Sequence, residues 1–148
     1  MRQRVSGIAA LAVALLLLLL AGAAQAESKR TKAPEGAKVY FISPQDGQTV
    51  KSPVTVRMGL KGVEAVPVSV DRPNTGHHHL LVDLDLSAVD LNKPLPFTDQ
   101  TRHFGAGQTE GTFELKSGTH TLQLLFMNAK HVSFDPPLVS EKITITVK

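Results

Sequence analysis

The sequence contains no cysteine, and that absence excludes several classes of protein at once. No disulfide can staple the fold, and no thiolate can act as nucleophile or metal ligand. Lipid-anchored export, which needs a cysteine at the mature N-terminus, is excluded too, so the fold has to be held by its own core. Also missing are a Gly-x-Ser-x-Gly elbow and a His-Glu-x-x-His helix, the marks of a serine hydrolase and of a zinc peptidase. Basic residues form no stripe. Lys29-Arg30 with Lys32 is the one cluster, in a stretch without apolar periodicity, so no nucleic-acid partner is expected.

Long apolar runs are scarce apart from one. Arg2 and Arg4 precede an unbroken apolar stretch from Ile8 to Leu20, and small residues follow at Ala24 and Ala26. Positive, apolar and small in that order is the pattern of a secretory signal peptide, and the run is short of the roughly 20 residues a membrane-spanning helix needs. Residues 1–26 are therefore expected to be cleaved, leaving a mature chain from Glu27 that is periplasmic or secreted, without stable membrane insertion. The signal carries Arg2 and Arg4 and no acid, so its removal takes the formal net charge from +3 to +1. Residues 27–148 suffice for one domain.

Residues 27–37 read as a flexible leader and 38–148 as the folded domain. Val39 to Ile42 is a short β-prone run closed by Ser43-Pro44-Gln45-Asp46-Gly47. From Pro53 to Leu60 the chain alternates, with Val54, Val56, Met58 and Leu60 on one face. From His77 to Leu86 it alternates again: His78, Leu80, Val82, Leu84 and Leu86 share a face read as the core side, and His77, His79, Leu81, Asp83 and Asp85 share the other. Further strands are expected over Thr109 to Leu115, Thr119 to Met127 and Val139 to Val147. With no convincing amphipathic helix after residue 26, the reading is all-β: a single immunoglobulin-like antiparallel β-sandwich of about seven strands. The segment Ser87 to Gln108 is long for a connection, and is expected to hold a short edge strand or a covering loop.

All six histidines lie beyond the signal. His120 begins a strand, on the side of Leu122, Leu124 and Phe126, near where many sandwiches place a tyrosine corner, and is read as structural. His78 is read as a satisfied core histidine. His77 and His79, two apart on a strand, project side by side from the outer face, the His-x-His arrangement that can grip one metal ion. If successive strands run antiparallel, His103 and His131 fall at the same end and His120 at the opposite one. Met127 would lie on a neighbouring strand, on the outer face with His79. Imidazoles with an optional thioether and no thiolate suit copper or zinc, so His77, His79, His103, His131 and Met127 are the candidate metal site. The other reading open at this point makes the ridge solvated, or a device that orders the long loop.

Gly76-His77-His78-His79-Leu80-Leu81-Val82-Asp83, His103-Phe104-Gly105-Ala106-Gly107-Gln108-Thr109-Glu110 and Gly118-Thr119-His120-Thr121-Leu122-Gln123-Leu124, followed by His131 and Pro136-Pro137, resemble a family of small exported bacterial domains of unknown function. The resemblance covers about residues 39–147. It implies a bacterial envelope protein with an immunoglobulin-like fold, and no activity. Where some members of that family carry a second histidine shortly after the one matching His131, this chain has Phe134; were that histidine a ligand, the site here would be altered. Ser43 to Val50 is faintly similar to the opening of periplasmic copper-carrier sandwiches. Those use a histidine at the mature N-terminus, where cleavage here would expose Glu27.

Three functions follow. The leading one is a non-enzymatic periplasmic binding module that holds a transition metal or a small ligand at the histidine-rich end. The second is an adhesive or scaffold domain for another envelope protein, with structural histidines and an exposed patch at Leu81 and Leu125. The third, least favoured, is a metal-dependent enzyme with Asp83 or Glu110 as base, both more simply explained as solvated strand residues. No catalytic residue and no certain cofactor is assigned.

Overall fold

The computed structural model describes residues 30–148; the expected signal peptide and the first residues of the leader lie outside the described residues. Among the described residues there are ten strands: β1 (Lys38–Ser43), β2 (Thr49–Val50), β3 (Val54–Lys61), β4 (Glu64–Ala65), β5 (Thr75–Val82), β6 (Thr101–His103), β7 (Glu110–Phe113), β8 (Gly118–Met127), β9 (Ser133–Val139) and β10 (Ile143–Val147). Seven of them have four or more residues, which are the long strands of the expected all-β sandwich. One sheet runs β1-β3-β7; the other runs β2-β10-β8-β5-β4, with β6 also on β5 and β9 also on β8.

The core lies between the two sheets and is built by alternation. Val54, Val56 and Met58 of β3 face Leu80 and Val82 of β5, Leu122, Leu124 and Phe126 of β8, and Ile143, Ile145 and Val147 of β10. Each such side chain contributes about 1.5–3 kcal/mol when removed from water, so the domain has an apolar core that owes nothing to a ligand.

The strand expected from His77 to Leu86 stops at Val82. Asp83 has a φ of 50°, a left-handed conformation that turns the chain out of the sheet. Leu84 and Leu86 therefore do not extend the core face, and Leu86–Ala88 forms a short 3-10 turn instead. The loop expected over 128–138 contains β9, whose paired prolines concealed it. Proline lacks the ladder donor, and here the register on β8 jumps between Leu138 opposite Phe126 and Ser133 opposite Met127, so Asp135 and the prolines bulge from the edge. That bulge captures residues 31–33: Ala33 N–H donates to the Asp135 carbonyl and Asp135 N–H to the Thr31 carbonyl, both at 2.8 Å. From Thr31 onward the stretch expected as a flexible leader is thus bonded to β9, and Ala33 is buried.

The second departure matters more for function. Every residue of β5 is buried, on both faces, so the face expected to be outer is covered. The segment after Asp83 crosses the sheet to reach β9, where the Leu91 carbonyl accepts from Ser133 N–H, and returns to the β5 edge, where the Gln100 carbonyl accepts from Val82 N–H. The long segment is therefore both a lid and, in β6, the expected edge strand. Leu81 and Leu125, expected as an exposed contact patch, are buried beneath it.

Candidate functional site

The site is assembled by register. His77 pairs with Met127 across β5 and β8, and His79 pairs with His103 across β5 and β6. Residues directly opposite in antiparallel strands share a face, so His77, His79, His103 and Met127 all belong to the covered side. Met127 is fully buried there, opposite His77.

His131 completes the group from the β8–β9 turn, which Asn128 organises. The Asn128 side-chain oxygen accepts from Lys130 N–H and from Val132 N–H, each at 3.0 Å, while its backbone carbonyl accepts from His131 N–H. This holds His131 at a φ of 57°, a conformation that a residue with a Cβ pays for.

The ring centroids of His77, His79, His103 and His131 lie 4.7–5.8 Å apart in every pairing. One nitrogen from each ring can be chosen so that all four lie within 4.8 Å of one another. The Nε2 atoms of His131 and His103 lie 3.1 Å apart, where one ring's N–H donates to the other's lone pair. Both nitrogens of His77 and Nδ1 of His79 are buried with no hydrogen-bond partner. Burial, seconded by the neighbouring imidazoles His131 and His103, pushes the His77 pKa down to about 4. His79 is pushed lower still by burial and then by His77, and His103 is lowered by burial and by His131. These three rings are therefore neutral at pH 7, and a neutral imidazole offers a lone pair.

Gly105 makes room for a site ring and Gly76 for the backbone of β8. A Cβ on Gly105 would stand 2.2 Å from Cε1 of His103, and one on Gly76 would stand 2.2 Å from the Met127 carbonyl oxygen. This gives the His103-Phe104-Gly105 stretch a physical meaning: His103 joins the site, Phe104 enters the core, and Gly105 clears space for the His103 ring. Sequence reasoning passed over Gly105 and Asn128 as positioning residues, although Asn and Gly flanking two of the histidines were the available signal. Phe134 is in the core and stacks on Phe126 at 6.1 Å, so the four histidines form their group without a ligand from that position.

The remaining histidines part ways. His78 is on the core face, edge-on to Phe126 at 5.2 Å, and neither of its nitrogens has a partner; it is buried as expected, but not satisfied. His120 is at the far end of β8, about 23 Å along the strand from Met127 at 3.3 Å per residue. Its Nδ1 lies 2.7 Å from the Asp83 carboxylate and its Nε2 2.8 Å from the Lys116 carbonyl. Both partners are acceptors, so both ring nitrogens donate, which is the protonated ring; the bond to Asp83 accordingly raises the His120 pKa. The other Asp83 oxygen accepts from Thr121 N–H at 2.8 Å. Asp83 is thus a clasp at the opposite end, and Glu110 pairs with Arg57 at 2.6 Å on the smaller sheet. Neither carboxylate belongs to the histidine group, so the base each was considered to be has no metal ligand beside it.

No curated protein matches the chain. A solved structure, that of the endo-beta-1,4-mannanase from Thermotoga petrophila, is similar over 76% of this chain and 20% of that one, with 19% identity and a TM-score of 0.42. The chain thus spans about a fifth of that protein's length. A family model matches residues 56–148, a range that takes in β5, β6 and the turn bearing His131. The chain belongs to the family described as Domain of unknown function (DUF4399).

Proposed function

We propose that this protein is an exported, periplasmic binding module that holds one transition-metal ion, copper or zinc, between His77, His79, His103 and His131, and that it does so without catalysing a reaction. The observation that carries the reading is the set of four imidazoles with ring nitrogens within 4.8 Å of one another, several of them buried and unpartnered. Leaving a buried polar group unpaired costs about 1–3 kcal/mol. His77 and His79 bear that cost, the other two rings are gathered beside them from two further chain segments, and a cation would accept all four lone pairs together.

The dimensions suit such an ion. With metal–nitrogen bonds of about 2.0–2.1 Å, the nitrogens of a tetrahedral site stand about 3.3 Å apart. The His103–His131 separation of 3.1 Å is already there, and the remaining rings have only to close inward. Nitrogen donors without thiolate fit zinc or copper(II). The apolar core lies on the other side of the sheet, so the ion would add to a domain that is folded without it. The Arg2 to Ala26 pattern supports export, and the absence of cysteine suits a compartment in which thiols would oxidise.

Untagged protein recovered from a bacterial periplasm should contain close to one equivalent of copper or zinc, and calorimetric titration of the metal-free domain should show one site. Binding of neither ion tighter than about 10 μM, far short of the roughly 10 kcal/mol or more of structural zinc sites, would remove this reading in favour of a domain whose histidines only order the lid.

A further inference from the structure

A cavity of about 250 Å³ adjoins the histidine group, lined by His79, His103 and His131 together with the lid segment Pro94 to Phe97. His77 does not line it. Four nitrogens around one ion define a tetrahedron, and the face opposite His77 is the one made by His79, His103 and His131. The cavity adjoins that face, from which an ion held by the four rings could accept one further ligand.

The lid side of the cavity is apolar. Pro94, Leu95, Pro96 and Phe97 offer carbon surface, and the Phe97 ring meets His103 edge to face at 5.8 Å. Phe97 is 86% exposed, an unusual position for a phenylalanine on a small domain and one that places its ring at the cavity's rim. A volume of 250 Å³ lies below the roughly 300–1,000 Å³ of sites that bury drug-sized ligands. The occupant is consequently small.

Resting on the metal reading above, we infer that this cavity is a second binding position: it takes a small molecule with one donor atom, directed at the ion from the side of His79, His103 and His131, and a compact apolar or aromatic body held by Leu95 and Phe97. The module would then recognise a metal–ligand pair, with the lid reading the ligand and the four histidines the ion.

The test uses the mature chain loaded with copper(II), with 4-methylpyridine as probe for the whole cavity and azide as probe for the open coordination position alone. Both probes should perturb the visible and electron paramagnetic resonance spectra saturably. Phe97→Ala should weaken 4-methylpyridine about five- to tenfold and leave azide within twofold, since azide has no body for the ring to hold. Leu95→Trp, which fills the cavity from the lid, should lower affinity for 4-methylpyridine more than tenfold. Copper affinity by calorimetry should be the same in all three proteins. Copper uptake with no spectral response to 4-methylpyridine, or a response that neither variant alters, overturns the second position and leaves the metal site standing. Failure to take up copper or zinc at all overturns the metal reading, and this inference with it.

Discussion

His131 presents its Nε2 to the Nε2 of His103 at 3.1 Å, joining a turn and an edge strand that are 28 residues apart. In the metal-free domain that contact is a single hydrogen bond, worth about 1 kcal/mol. On the proposed reading a metal ion would replace it with two coordinate bonds and would tie the lid, through β6, to the β8–β9 turn. Saturation at a thousandfold excess over Kd stabilises a folded state by about 4.1 kcal/mol. Thermal melts should accordingly rise by about 10 °C or more with copper or zinc and return to a folded, lower-melting state with chelator. Complete unfolding on chelation would show instead that the core is insufficient alone.

Replacing His77 and His79 together separates binding from stability. Their side chains are buried, not outward-facing as the alternation suggested, so alanine leaves a cavity and should cost about 2–4 kcal/mol, while abolishing metal binding. Phenylalanine at position 77 fills that space without polar atoms. His77→Phe should also abolish binding, yet hold or raise the stability of the metal-free protein by about 1 kcal/mol, because two unpartnered nitrogens disappear. Denaturant melts with and without metal decide it; a metal response retained in His77→Phe removes that residue from the site.

His120 should behave in the opposite manner. Its folded pKa is raised above the ordinary 6.5, first by the bond to Asp83, so its stabilising contribution is complete below about pH 6.5 and is lost as pH rises through the raised value. Asp83 is partly exposed, its side chain at 45%, and solvent screening keeps the contribution near 1 kcal/mol. His120→Ala should therefore destabilise the domain at pH 6 more than at pH 9, with metal affinity unchanged. Equal losses at both values would mean the ring acts by packing alone.

Acid should weaken the other end. The His77 and His78 pKa values are lowered to about 4 by burial, so the neutral rings stabilise the fold fully above about pH 6.5, and that stability is lost as pH falls through about 4. Metal affinity should fall over the same interval because protons compete for the lone pairs. Stability of the metal-free domain measured across pH should thus peak near neutrality, declining on the acid side through the buried histidines and on the alkaline side through His120. His78→Leu, which removes two further unpartnered nitrogens from the core face, should flatten the acid limb.

Gly105→Ala and Asn128→Ala test positioning. The first forces the His103 ring from its place, since the added Cβ would stand 2.2 Å from that ring; the second releases the turn that keeps His131 at positive φ. Each should lower metal affinity by tenfold or more, with stability losses within about 1–2 kcal/mol. Unchanged calorimetric affinity in both would show that the rings reach the ion without this scaffolding.

Alternation of apolar residues was enough to expose β1, β3, β7, β10 and the Gly118 end of β8, because there one face is turned to the core and the other is more open to water, and side chains on a strand repeat every two residues. The gathering of His77, His79, His103 and His131 at one end, with His120 at the other, followed from parity and antiparallel succession. What the sequence could not reveal is what lies over a sheet. Alternation says which residues share a face and nothing of whether that face meets solvent, so Leu81, Leu125 and the two site histidines read as outward until the segment after Asp83 was seen to fold across them. Nor could it disclose β9, where Pro136 and Pro137 break the local signal and pairing with β8 and with the chain near Lys32 supplies the strand. Local pattern determined the strands and the residue types of the site. Burial, and with it the depressed pKa values and the unpartnered nitrogens that set the histidine group apart from a solvated ridge, was decided by contacts between segments far apart in the chain, which only the tertiary structure contains.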